Sequence, residues 1–285
     1  MADYSSRVVK QTIGGGDAMH EDSFILSQSQ HIITDGKHLY VSMMLQYGTR
    51  VVNLEDGSFV CDFGGLDARM GMASGMCFLG DDKVVVCDVN DDAIKIFNKN
   101  DLAAEPADMD GSFTKPNDVI PDGKGNLFVA EVGDNKQWSC INPADGTVKF
   151  SVNQAGDKSF TGVNKIAYDP NNERVVVSDS DGNLVAVFNS TDGSHLFNID
   201  EEGEGEGQLG GPQGVAFDKE GNILVADQTN NRVQVFSKDG KFLSVLGGGA
   251  IDFSYPWDVI VLPNDGGVAV VDGSIFMGWS RVQVF

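Results

Sequence analysis

Residues able to do chemistry are plentiful in this chain but are not grouped for it. Four histidines (His20, His31, His38, His195) show no i,i+2 or i,i+4 pairing, the spacing by which a strand or helix presents two zinc ligands. Four cysteines (Cys61, Cys77, Cys87, Cys140) sit inside apolar runs without a C-x-x-C, which reads as buried reduced thiols in a cytosolic compartment. No G-x-S-x-G elbow and no phosphate-cradling P-loop occurs, and Ser, Asp and Cys abound without a partnered base. The acidic runs DVNDD (88–92) and SDSDG (178–182) offer oxygen ligands from Asp88, Asp91, Asp92, Asp179 and Asp181. Neither reproduces an EF-hand spacing with its terminal Glu, so both read as solvated turns. No catalytic residue, metal ligand or cofactor is expected.

Charge narrows the partners. Twenty basic residues face 42 acidic ones, for a formal charge of −22 and a pI of about 4.3. Such a chain repels a phosphate backbone, and its basic residues are scattered, so RNA ranks below protein as a partner. The N-terminal MADYSSRVVKQ lacks the apolar core of a signal peptide, and no apolar run approaches the ~20 residues that span a bilayer. The expectation is a soluble, cytoplasmic, monomeric protein with no membrane contact.

Internal repetition organises these residues. The clearest stretch, 210–249 (GGPQGVAFDKEGNILVADQTNNRVQVFSKDGKFLSVLGGG), holds four β-type runs, GVAFD, NILVAD, RVQVF and FLSVL, separated by Gly- and Asn-rich breaks. Aligning the chain on the acid that ends the second run gives Asp88, Glu131, Asp179, Asp227 and Asp272, with Ser42 in the first copy. The intervals are 46, 43, 48, 48 and 45 residues, the length of a four-stranded blade. Six copies make an all-β, six-bladed propeller of antiparallel blades. Its blades run over 31–65, 70–111, 115–157, 162–203, 211–249 and 255–285. The last blade lacks an outer strand, and VVKQTIGGG (8–16) matches FLSVLGGG of blade 5. A closing strand over 7–16 is therefore predicted beside Arg281–Phe285, because an open ring would expose sheet edges. Closure by both termini carries the expectation of one complete domain over 1–285. Residues 102–110 (LAAEPADMD) suggest one helical turn broken by Pro106, and EEGEGEGQ (201–208) suggests a flexible acidic loop.

The pattern P-x-G-V-A-x-D-x-x-G-N-x-x-V-A-D-x-x-N-x-R-V-Q-V-F, with its lead-in EGEGQLGG, resembles the NHL repeat. In particular it is similar to the C-terminal NHL domain of tripartite-motif ubiquitin ligases. That resemblance implies a recognition module for protein, or alternatively for RNA, with enzymatic work done by other domains. A second resemblance, to six-bladed calcium-dependent lactonases, rests on Pro116-Asn117-Asp118 and Asp122-Gly123, with Asn164 matching a ligand Asn. It implies Asn117 and Asn164 as metal contacts. Gln213 stands where an Asp is expected, and Gln30 or His31 where a Glu is expected, leaving only neutral amides and no general base.

In a propeller the loops joining second to third strands (b–c loops) share one face. In blades 1 and 6, neighbours after closure, these loops are apolar: Met43, Met44, Leu45 and Tyr47 in one, Ile275, Phe276, Met277 and Trp279 in the other. Trp257 is expected on the same rim. A contiguous patch of Trp, Tyr, Phe and Met is a partner surface; folded inward, the same residues would seal the joint. Arg50, Arg232 and Arg281 recur at the start of the third strand and would anchor an acidic group on the partner. The competing role is pairing within the blade, for instance Asp227 with Arg232. A peptide or protein partner on this face, with no enzymatic activity, is the expected function.

Overall fold

Blades form because each repeat supplies four short apolar runs closed by tight turns, too little on its own to bury both faces of a sheet. The computed structural model describes residues 3–14, 26, 29–43, 48–64, 70–263, 266–274 and 279–285. Among them six four-stranded antiparallel sheets are arranged as a propeller. The innermost strands (a) are Ser29–Thr34, Ala73–Leu79, Pro116–Pro121, Val163–Asp169, Pro212–Phe217 and Pro256–Val261. Strands b, c and d follow outward in chain order in the first five sheets.

The sixth sheet takes its outer strand from the other end of the chain. Gln11–Gly14 pairs antiparallel with Trp279–Val284, placing Gln11 opposite Val284 and Gly14 opposite Arg281. The N-terminal segment also reaches past this strand. Tyr4 is buried in the apolar cluster between blades 5 and 6, beside Leu246, Phe253 and Phe285. Its hydroxyl donates to Asp218 Oδ2 at 2.9 Å, while Arg7 donates to the carbonyl oxygens of Gly266 and Phe285.

Six apolar clusters occupy the six blade junctions, so burial on both faces of each strand comes from its neighbours. The acids that mark the repeat are structural. Asp88 and Asp179 are buried rather than solvated. Asp88 accepts from the backbone N–H of Gly71 and Met72, and Asp179 from those of Thr161, Gly162 and Gly182. Each ties the loop entering a blade to its second strand.

Two local expectations are corrected. Residues 102–110 form no helical turn; Pro106 interrupts the segment, and Ala107–Asp108 becomes a two-residue outer strand beside Lys95 and Ile96. The acidic loop 201–208 is tied down. Arg232 donates to the carbonyl oxygens of Glu204, Gly205 and Gln208 at 2.8 Å, and Leu209 behind it is fully buried.

Candidate functional site: the axial channel

Every inner strand carries a register shift near its start, between Ser29/His31, Ala73/Met76, Pro116/Asp118, Val163/Lys165, Pro212/Val215 and Pro256/Asp258. A β-bulge leaves a residue outside the ladder and re-aims its side chain. The residues so released, Gln30, Ser74, Asn117, Asn164, Gln213 and Trp257, line a polar mouth of about 330 Å³ on the b–c loop face. The amides are knitted together. Asn117 Nδ2 donates to the Asn164 carbonyl oxygen (2.7 Å), Ser74 Oγ donates to Asn117 Oδ1 (3.0 Å), and Asn164 Nδ2 donates to Gln213 Oε1 (2.8 Å). Trp257 belongs to this mouth, half-buried, with its indole N–H on the Gly273 carbonyl oxygen at 3.1 Å.

One residue further along each strand, the channel is barred by a ring that reads, around the axis, His31, Gly75, Asp118, Lys165, Gly214, Asp258. The order basic–Gly–Asp occurs twice, giving the ring a two-fold repeat across blades 1–3 and 4–6. Space explains the glycines. A Cβ on Gly75 would lie 2.4 Å from Asp118 Cα, and one on Gly214 2.5 Å from Asp258 Cα. Each glycine thus admits the aspartate of the following blade. Both carboxylates are held alike. Asp118 accepts from Val119 N and Ile166 N, and Asp258 from Val259 N and Ile32 N, all at 2.9–3.0 Å.

His31 breaks the symmetry. Its Nδ1 lies 2.9 Å from Asp258 Oδ2 and 2.9 Å from Lys165 Nζ; its Nε2 lies 3.0 Å from the Met76 carbonyl oxygen and 3.7 Å from Asp118 Oδ1. A carbonyl can only accept, so Nε2 carries a hydrogen. Nδ1 then either donates to Asp258, as imidazolium, or accepts from Lys165, as neutral imidazole. For Asp118 burial dominates and raises the carboxyl pKa, against the pull of Lys165 and His31. For Asp258 burial pushes the same way, but the charge and hydrogen bond of His31, with Lys165, outweigh it and hold the carboxyl low.

The predicted partner residues are placed less simply. Met43 ends strand b of blade 1 opposite Gly48 and is 1% exposed, so it packs inward rather than on the rim. Met44, Leu45, Tyr47, Ile275, Phe276 and Met277 lie outside the described residues; Trp279 begins the last strand. Arg232 and Arg281 stand opposite Asp227 and Asp272 and bond to them (Nε to Oδ, 2.7 and 3.0 Å). Arg50 does not share their position. Thr49 pairs with Ser42 in that register, and Arg50, one residue on, faces Asp62 with a forked pair at 2.8 and 2.7 Å. Pairing within the blade is therefore the arrangement of all three arginines.

Missed from the sequence were Lys165 and Asp258. Their signal was present: the third residue of each inner strand, read down the six copies, is a column of His, Gly, Asp, Lys, Gly and Asp.

Comparison with known proteins bears on this channel. The family model described as SMP-30/Gluconolactonase/LRE-like region matches residues 26–247. The chain belongs to this family. Within the SMP-30/gluconolactonase-like fold, a calcium-binding regucalcin from Agrobacterium tumefaciens superposes with a TM-score of 0.69 at 14% identity, covering 91% of this chain and 92% of that one. The resemblance to the NHL propellers of tripartite-motif ligases also holds. The E3 ubiquitin-protein ligase TRIM71 of Rattus norvegicus is 34% identical over 124 residues, and protein lin-41 of Caenorhabditis elegans is 47% identical over 49. Those stretches make up 44% and 17% of this chain, but only 13% and 4% of the relatives' lengths.

The described residues of the mouth do not make up a calcium site. A calcium ion takes six to eight oxygens with carboxylates among them. In this mouth Asn117 Oδ1 and Gln213 Oε1 accept from their neighbours, Asp181 is the single carboxylate among the described lining residues, and the Lys165 side chain lines the same cavity; Asp118 and Asp258, in the ring beneath, spend their oxygens on backbone N–H groups. Among the described residues no group of three or more His, Cys, Asp or Glu is disposed to hold a metal.

Proposed function

We propose that this propeller is a non-enzymatic recognition module, the substrate-selecting part of a ubiquitin ligase or scaffold, and that it binds a protein or peptide on the b–c loop face. The observation that carries this reading is the similarity of its repeats to ligases in which the matched stretch is a small fraction of the chain. The mouth is lined mainly by carboxamides, with Asp181 the single carboxylate among its described lining residues, too few for a calcium site, and this supports the reading over calcium-dependent hydrolysis. The net charge of −22 favours a protein over RNA.

The anchors proposed are Met44, Tyr47, Phe276 and Trp279 of the blade 1 and blade 6 loops, together with Trp257. Arg50, Arg232 and Arg281 are held by pairs within their blades, so an acidic partner group would compete with Asp62, Asp227 and Asp272. The test is affinity capture of protein partners with the chain and with Phe276→Ala and Trp279→Ala. Each substitution is expected to weaken a captured partner by about 2 kcal/mol or more, the scale of an interface hot spot. Unchanged affinity in both variants rejects this face. Salt-sensitive RNA binding without a protein partner replaces protein by RNA, and calcium-dependent hydrolysis of lactones or esters rejects the non-enzymatic reading.

A further inference from the structure

Below the charged ring the channel changes character. The half that opens on the a–b turn face is a funnel of about 560 Å³ whose walls are apolar residues from all six inner strands. Ile33, Ile120 and Ile260 stand on its sides, and Phe78, Tyr168 and Phe217 are half-buried in its lining. Two of these rings are fixed from behind: Lys99 Nζ lies 4.6 Å from the Phe78 ring centre and Arg174 Cζ 5.3 Å from that of Phe217.

We infer that this funnel is a binding site for an uncharged, mainly apolar small molecule, entering from the face opposite the b–c loops. Its volume falls within the range of small-molecule pockets and exceeds what one inserted side chain fills, which selects a free ligand over a docked peptide residue. Water gains little in such a space, because an apolar wall offers it few of the hydrogen bonds it needs. The chemistry at the closed end selects against charge. Two carboxylates stand with the Lys165 ammonium and His31, and each carboxylate already accepts two backbone N–H bonds. Among the described lining residues, no charged group stands outside this cluster to offset the desolvation of an ionic ligand. Fixed aromatic rings and walls supplied by strands rather than loops make the site preformed. The inference is independent of the partner face proposed above.

The test is titration of the intact chain with the uncharged fluorophore N-phenyl-1-naphthylamine. Saturable binding of one molecule per chain is expected, weakened at least tenfold in Ile120→Asp and Ile260→Asp and changed less than twofold in Lys136→Ala, since Lys136 lines the polar mouth above the ring and not the funnel. Failure to saturate, or equal binding by a correctly folded Ile120→Asp or Ile260→Asp, overturns the site. So does an equal loss in Lys136→Ala. A xenon-pressurised crystal of the unsubstituted chain decides the matter if neither aspartate variant folds. Xenon is expected between Ile33, Ile120 and Ile260, and its absence there overturns the inference.

Discussion

Asp118 and Asp258 occupy one repeat position three blades apart, each beside a glycine of the preceding blade and each capped by two backbone N–H groups. By local sequence and local hydrogen bonding they are copies. Their acidities nevertheless move in opposite directions, upward for Asp118 and downward for Asp258. The difference is His31, whose ring nitrogens lie 2.9 Å from one carboxylate and 3.7 Å from the other. A repeat fixes backbone and burial; a single unlike neighbour across the axis decides the charge state of what it buries.

Removing His31 should break this comparison with the largest effect. In His31→Leu, Asp258 keeps its buried charge and loses its nearest compensating side chain, with only Lys165 left to offset it, so a loss of about 3–5 kcal/mol is expected from breaking a buried pair. Chemical denaturation reads it; stability within 1 kcal/mol of the parent would show that the imidazole does not separate the two halves. Gly75→Ala and Gly214→Ala test the shared part. Each puts a methyl against the neighbouring aspartate's backbone and should cost about 1–3 kcal/mol, alike in the two variants, as overpacking does. A clear inequality would break the two-fold description.

The aspartates themselves sharpen the contrast on a smaller scale. Asp118→Asn and Asp258→Asn both place an amide N–H₂ against a backbone N–H, so that cost cancels between them. Asp258→Asn also removes the carboxylate that faces His31 Nδ1 at 2.9 Å and is expected to be the more damaging by about 1–2 kcal/mol at neutral pH. Equal losses would sink the assignment of His31 to Asp258.

The smallest effect is the pH dependence. The pKa of Asp258 is lowered on folding, so its stabilisation is present above the ordinary carboxylate value of 3.8 and is lost as pH falls through the lowered one. That of Asp118 is raised on folding, so its contribution is full below 3.8 and is lost as pH rises through the raised value. The two partly offset each other in the parent. Asp118→Asn should steepen acid denaturation and Asp258→Asn should flatten it; parallel acid limbs would contradict both directions.

Much of the architecture was legible because it rests on periodic, local signals. Apolar runs bounded by Gly and Asn give strands, the recurring acid at Asp88, Glu131, Asp179, Asp227 and Asp272 gives the repeat length, and the missing outer strand of blade 6 points to the N-terminus. The closing pair Gln11–Gly14 with Trp279–Val284 follows from the need to leave no open edge. The buried position of Tyr4 against Asp218 was not legible, since one aromatic near a terminus carries no periodic signal and its partner lies 214 residues away.

Site residues divide in the same way. Asp227 with Arg232 could be foreseen, because both lie on one hairpin and face each other across two adjacent strands. Arg50 could not be told from Arg232 by repeat counting, since a shift of one residue sends a strand's side chain to the other face. The sequence alone determined the six blades, their hairpins, the closing strand and the recurring acids that mark five of the repeats. Only the tertiary structure decided that six bulged residues form a mouth, that His31, Asp118, Lys165 and Asp258 meet on the axis, and that an apolar funnel lies beneath them. These residues come from separate blades, and nothing local to any one strand records what stands opposite it once the ring has closed.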